Sequence, residues 1–300
     1  MKKSKREVGI NKKMRANNRI KVSLHNHTEY SSYSCVYSKT PPIFREAFKQ
    51  LCESHPGILA ITDNNNDVFY RNLQKIIPEG YTIEEYSPRS AIIREDKTGK
   101  ILYLLHAIEF HEPKGHLLGI GITMSLRPYS DPRDNAKQVR DIGGIVLAAH
   151  PLAVPFGGCG KQTLDYLVNN DLIDGIEGFN ALCRLRIPFL FDAQKYNDMA
   201  KQYAQERGVA AVSCSDSRHP KHIVDGIFLP EVSEIDFSTS EKLIESIRKA
   251  IRKTKYPDNY HDRNREKYNK LVNFARTVIF LDKLGRRLPW RKKVKGEILK

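Results

Sequence analysis

Six side chains of this chain are of types that hold divalent cations, and each stands beside an apolar, strand-like run. His25 and His27 lie in KVSLHNH, Glu109 in LHAIEF, His116 just before LLGIGI, His150 in GIVLAAHP and Asp216 in AAVSCSDSRHP. Residues two apart on a strand share a face, so both imidazoles of His25-Asn26-His27 can reach one ion. A carboxylate such as Glu109 can bridge two cations through its two oxygens. Singly, each residue has an ordinary explanation: a lone HxH is weak evidence, an isolated Glu pairs with a surface cation, and a His in an apolar setting is a hydrogen-bonded core residue. An unpaired Asp216 would be costly to bury. Together with ILAITDN (58–64), the runs place ligand types at successive strand ends separated by helix-length segments. That arrangement describes a ring of ligands at one mouth of an α/β barrel, where such barrels do chemistry.

The elements that must position these residues follow from periodicity and punctuation. Strands are expected at 22–24, 58–62, 101–107, 117–122, 145–149, 175–178, 209–213 and 223–229. Helices are expected at 41–54 behind Pro41-Pro42, at 67–77, 132–141, 163–169 and 188–206, the last ending at Gly208. Segment 81–105 reads as a hairpin around Thr98-Gly99 inserted into the barrel. An amphipathic helix over 240–252, with Ser240 as its cap, and a long helix over 263–284 follow. Strand–helix alternation with apolar strands implies a mostly parallel sheet.

Three hundred residues with 40% hydrophobic and 28% charged residues suit one large barrel domain. No run approaches the ~18 apolar residues of a membrane helix. The basic N-terminus lacks the apolar core of a secretory signal, so a cytoplasmic protein is expected, an organelle transit peptide being the other reading. Five cysteines without CxxC spacing argue against a disulfide framework and a structural zinc knuckle; Cys214 alone lies near the ligand set. The net charge of +15 is uneven: residues 1–21 carry +8, residues 245–300 carry +12, and the body between them −5. The ends either steer a polyanion toward the body or form a solvated arm and helix faces. Trp290, among Arg286, Arg287, Arg291 and Lys292, either stacks on a base or packs the tail on the barrel.

In order, HNHTEYS, AITDN, AIEF, HLLGIGI, VLAAHP, GIEGFN and CSDSRHP resemble the PHP (polymerase and histidinol phosphatase) family of metal-dependent phosphoesterases, over residues 20–230. The resemblance implies a distorted (β/α)7 TIM-like barrel over 21–235, preceded by a basic flexible arm (1–20) and followed by a basic C-terminal helical extension (236–300). It implies His25, His27, Glu109 and Asp216 around a first metal, and bridging Glu109 with His116 and His150 around a second. The third-metal positions of trinuclear members read Ser32 or Tyr33, Asn64 and Arg218 here. Loss of one whole site beside two intact ones implies a binuclear centre of two divalent ions, Mn, Fe or Zn. Arg218 would stand where a third cation stands and grip phosphate oxygens, unless a register shift in SDSRHP makes His219 a ligand or general acid. Asn64 and Asn180, with Arg218, are expected to contact substrate; Glu109, Asp216, Arg218 and His219 make up the catalytic set. The expected activity is hydrolysis of a phosphate ester, of a nucleotide or nucleic-acid end. The alternatives are a small-molecule (sugar or histidinol) phosphatase and a non-catalytic metal-binding module.

Overall fold

The computed structural model describes residues 18–31, 39–184, 186–187 and 191–254. The expected N-terminal arm up to residue 17, the helix over 263–284 and the basic tail with Trp290 lie outside them. Eleven strands are described: β1 (Val22–Ser23), β2 (Gly57–Ile61), β3 (Tyr81–Tyr86), β4 (Ser90–Glu95), β5 (Ile101–Glu112), β6 (Gly115–Ile120), β7 (Ile145–Ala148), β8 (Gly175–Asn180), β9 (Arg186–Ile187), β10 (Phe191–Asp192) and β11 (Ala211–Cys214). Seven helices accompany them: α1 (Thr40–Gln50), α2 (Val68–Arg71), α3 (Leu73–Ile76), α4 (Pro132–Asp141), α5 (Gly160–Asn169), α6 (Gln194–Arg207) and α7 (Ser240–Lys253). No helix among the described residues is long and apolar enough to cross a membrane.

Seven strands form the wall in the order β1-β2-β5-β6-β7-β8-β11, and β3 and β4 add a flap on the outer edge of β5. The wall is nearly closed, because the two end strands meet beyond their named limits. Asn26 bridges Ser217 in parallel, and the His27 amide donates to the Ser217 carbonyl at 2.8 Å. Lower down, Val22 exchanges two backbone hydrogen bonds with Phe228 at 3.0 and 2.9 Å. The result is a distorted α/β barrel.

The sheet is mixed rather than uniformly parallel. β6 runs antiparallel to both β5 and β7, while β1–β2, β2–β5, β7–β8 and β8–β11 are parallel. A strand buried on both faces has no alternation to betray its direction. The apolar segment 223–229 makes one isolated bridge at Phe228 rather than a strand, because turns interrupt it: Asp225 binds back to His222, and the Gly226 amide and carbonyl both engage Ser215 Oγ. The helix expected from 188 begins at Gln194, after the β9–β10 pair. α7 is capped by Thr239, whose hydroxyl accepts from the Lys242 amide; Ser240 Oγ instead meets Ser87 and Ser90 at 2.6 and 2.8 Å.

Inward residues alternate along the strands. Ile58 and Ala60, Leu105 and Ala107, Ile145 and Leu147, and Val212 and Cys214 share the central cluster, which α7 joins through Leu243, Ile244, Ile247, Ala250 and Ile251. Each buried aliphatic side chain of leucine or isoleucine size contributes about 1.5–3 kcal/mol of transfer free energy, so α7 is bound as a stopper. The intervening residues Leu59 and Ile61 face α1, and Ile108, Val146 and Ala148 face the outer cluster with α4, α5 and α6.

Candidate metal centre

The inward alternation carries two carboxylates to the mouth. Glu109 continues Leu105 and Ala107 on β5, and Asp216 continues Val212 and Cys214 beyond β11; both are fully buried. His116 reaches the same place from the opposite direction, because β6 is antiparallel and begins at the mouth. It sits directly across the ladder from His111, which is two residues beyond Glu109. His150 follows β7, and His25 and His27 follow β1.

The six side chains converge. His25 Nε2 lies 3.1 Å from His27 Nε2, 3.6 Å from Glu109 Oε1 and 3.6 Å from Asp216 Oδ1. His27 Nε2 lies 3.5 Å from Glu109 Oε2 and 3.3 Å from Asp216 Oδ1. On the other side, His116 Nδ1 is 3.1 Å and His150 Nε2 3.6 Å from Glu109 Oε1. Two overlapping triads, His25–His27–Glu109 and Glu109–His116–His150, each keep their donor atoms within 4.8 Å of one another.

This donor set fits divalent ions. Ligands at about 2.0–2.1 Å from one tetrahedral ion stand roughly 3.3 Å apart, close to the separations here. Buried polar atoms normally find hydrogen-bond partners, yet Glu109 Oε1, His116 Nδ1 and His150 Nδ1 have none. Glu109 Oε1 is the atom that faces both triads.

Supporting groups fix the donors. Glu177, in the middle of β8, is fully buried and was not recognisable as a site residue. Its Oε1 accepts from His25 Nδ1 at 2.7 Å, and its Oε2 accepts from the His150 amide and from Asn180 Nδ2, both at 2.7 Å. A carboxylate on the far nitrogen of a ligating imidazole sets its tautomer and orientation. Asn180 also points Nδ2 toward Asp216 Oδ2 at 3.4 Å, while its Oδ1 accepts from the Leu182 amide. Asn64 donates to Glu109 Oε2 at 2.6 Å, lies 2.8 Å from His111 Nδ1, and accepts from the Ser31 hydroxyl. Both asparagines therefore brace ligands. Thr28, beside His27, is tied to Asp63 through its amide and hydroxyl, each at 2.6 Å.

Arg218 is one-fifth exposed and brings Nη2 to 3.5 Å from Asp216 Oδ1 at the edge of the cluster. His219 is placed elsewhere: its Nδ1 accepts from the Lys221 amide at 3.2 Å and its ring stands against His222. None of its described contacts is with the six. Ser32 and Tyr33 lie outside the described residues. Cys214 is buried beneath Glu177, and burial, then that carboxylate, pushes its thiol well above its usual value, so it is a protonated core thiol.

The electrostatics are those of a cavity rich in buried carboxylate. Burial would push the His25 imidazole down, but Asp216, Glu177 and Glu109 overcome it and raise it well above the usual value. His27 is lowered to about 4, by burial and then by the Arg218 charge. His116 is lowered to about 4 because burial outweighs Glu109. Burial would raise Glu109 and Asp216, but the surrounding imidazoles, with Arg218 beside Asp216, hold both well below the usual carboxylate range.

No family model matches the sequence, and no curated protein matches it. Among solved structures, the chain is similar to a two-domain protein containing a predicted PHP-like metal-dependent phosphoesterase from Bacteroides vulgatus ATCC 8482, with 16% identity and a TM-score of 0.47 over 79% of this chain; it spans 63% of that protein's chain, under two thirds. It is also similar to PsfC from Pseudomonas syringae PB-5123, with 13% identity and a TM-score of 0.51 over 78% of this chain and 90% of that one. The second likeness agrees with the barrel described above.

Proposed function

We propose that this chain is a metal-dependent phosphoesterase of PHP type that hydrolyses a phosphate ester at a binuclear centre. The observation that carries the reading is Glu109 Oε1, a buried acceptor without a hydrogen bond, ringed by three imidazoles at 3.1–3.6 Å. His25, His27, Glu109 and Asp216 would hold a first ion, and Glu109, His116 and His150 a second. When bound, a divalent pair supplies an activated water and charge stabilisation for a phosphoryl group. The chain's own residues do the rest. Glu177 orients His25, Asn64 steadies Glu109, and Asn180 steadies Glu177. Arg218 is the permanent cation nearest the cluster at its exposed edge, placed to bind an anionic phosphate oxygen. With both asparagines braced against ligands, Arg218 is the substrate contact. The barrel wall and α7 exclude water from below.

The basic ends of the sequence favour a nucleotide or nucleic-acid end as the ester, since a phosphate backbone draws cationic segments. The test combines metal analysis of the purified protein with a screen of phosphomonoesters, nucleotides and short oligonucleotides, for wild type and Glu109→Gln. The expected result is bound divalent metal, turnover by wild type, and loss of both in the variant. Turnover by metal-stripped Glu109→Gln protein would overturn the proposal. Preference for a sugar phosphate would assign a small-molecule phosphatase, and metal without turnover on any ester a binding module.

A further inference from the structure

The second ion position depends on a backbone turn that leaves no space above one imidazole. After β7 the chain bends through 151–158, including a 3-10 turn at Val154–Phe156, before α5 begins at Gly160. The turn is tied to both histidines of that position. The His116 amide donates to the Gly157 carbonyl at 2.9 Å, and the Ala153 amide donates to the His150 carbonyl at 2.9 Å.

Gly157 lies against the ring itself. A Cβ on it would come within 2.2 Å of both Cε1 and Nε2 of His116, the ring edge away from Glu109, and its φ of +92° is left-handed. Its neighbour Gly158 is equally confined, since a Cβ there would meet the His150 carbonyl at 2.5 Å. On the facing strand, a Cβ at Gly115 would come within 2.4 Å of Cys159 Cβ. Glycines on both sides thus let strand and turn close to backbone contact, with the imidazole between them.

We infer that the 151–158 turn is a latch that seats the His116 ring against Glu109, and that Gly157 is a positioning residue for the second ion and not for the first. The inference rests on the binuclear reading above. The first position is built from residues after β1, on β5 and after β11, none of which the glycines touch. The two positions should therefore come apart: disturbing the latch empties one and leaves the other.

Gly160 provides the matched control. It is also left-handed, with a φ of +74°, but a Cβ there would meet only Val154 Cγ2 at 3.7 Å. Gly160→Ala thus carries the backbone strain of Gly157→Ala without the contact on the ring. Full-length wild type, Gly157→Ala and Gly160→Ala are stripped of metal and titrated with Co²⁺ alone. Bound ion is counted by equilibrium dialysis, and visible absorption reports ligand geometry. Wild type and Gly160→Ala are expected to take up two ions per chain. Gly157→Ala should keep the first ion within about twofold and lose about 10–100-fold in affinity for the second, the usual effect of disturbing a ligand's support.

A Gly157→Ala protein that binds both ions as wild type does, or a Gly160→Ala protein that loses the second equally, overturns the latch. Wild type holding fewer than two ions refutes the binuclear reading instead, and the latch is then judged by melting of the metal-free proteins. There, the loss of Tm caused by Gly157→Ala should shrink to that of Gly160→Ala once His116→Ala removes the ring. An undiminished loss would show that the turn does not press on His116. The double variant also covers the case in which Gly157→Ala alone does not fold: its folding supports the latch, and its failure overturns it.

Discussion

Replacing Glu177 by Gln preserves the shape of the side chain and leaves its hydrogen bonds without a consistent arrangement. The carboxylate accepts three: from His25 Nδ1 on Oε1, and from the His150 amide and Asn180 Nδ2 on Oε2, each at 2.7 Å. An amide has one acceptor oxygen. If that oxygen faces His25, the amide NH2 is pressed against two donors. If it faces His150 and Asn180, the NH2 group meets His25 Nδ1, which must then accept. That moves the imidazole proton to Nε2, the atom aimed at His27, Glu109 and Asp216, and a protonated nitrogen cannot ligate. Either arrangement weakens the first ion position directly; the second is touched only through the His150 backbone. Loss of an outer partner of a ligating histidine lowers metal affinity about 10–100-fold, or roughly 1.4–2.8 kcal/mol. Chelator competition against Zn²⁺, on protein whose melting curve shows it folded, measures this for each ion separately. Wild-type affinity for the first ion in Glu177→Gln, within about twofold, would refute the claim that Glu177 sets the His25 tautomer.

Two further predictions concern single charges. Arg218→Ala should keep its bound metal and lose about 10²–10³ in kcat/KM toward a phosphomonoester, as when a preorganised donor to a developing anion is removed, with Arg218→Lys recovering part; unchanged kinetics would exclude the guanidinium as the anion contact. Asp67 is buried beside α2, and although burial would raise its pKa, bonds from His106, Ser125 and Arg71 hold it well below the usual carboxylate range. A lowered folded-state pKa gives stability that is fully present above the unfolded value of about 3.9 and lost as pH falls toward the folded one. Asp67→Asn should therefore lower Tm at neutral pH and flatten its decline below about pH 4, and parallel Tm–pH curves for the two proteins would refute this.

The sequence revealed the site more readily than the strand directions. Glu109 and Asp216 stand two residues beyond inward apolar residues, so alternation alone aims them at the barrel axis. HLLGIGI reads the same in either strand direction, and only the ladder shows that it enters at the mouth, which is what brings His116 opposite His111. Glu177 carried a signal that went unused: one carboxylate in the short apolar run GIEGFN, where an unpaired charge is too costly to bury. His111 had one too, since it lies two residues from Glu109 just as His27 does from His25. The segment 223–229 is as apolar as any strand here, but its turn contacts with Ser215 depend on residues distant in sequence. Thr239 and Ser240 are adjacent residues of equal capping ability, and the partner hydroxyls on Ser87 and Ser90 decide between them.

The distortions of the barrel are concentrated where the ligands are. His150 and Asp216 are both non-glycine residues with left-handed backbone, at φ of +31° and +45°, a conformation that costs an L-residue of order 1–2 kcal/mol. Each is held by groups that also serve the centre. The His150 amide is bound by Glu177 and its carbonyl by the latch, while Asp216 is followed by Ser217, whose backbone closes the wall onto His25 and His27. A regular strand continued through either position would send alternate side chains outward and inward along the wall. The kink turns each chain across the opening instead, so that two parallel strands and one antiparallel strand deliver His150, Asp216 and His116 to one small volume. Backbone strain of this kind persists only where the surroundings over-determine it. Here the surroundings are Glu177, the 151–158 turn and the seam between the first and last strands, so the strain, the closure of the barrel and the gathering of the six ligands are one structural arrangement.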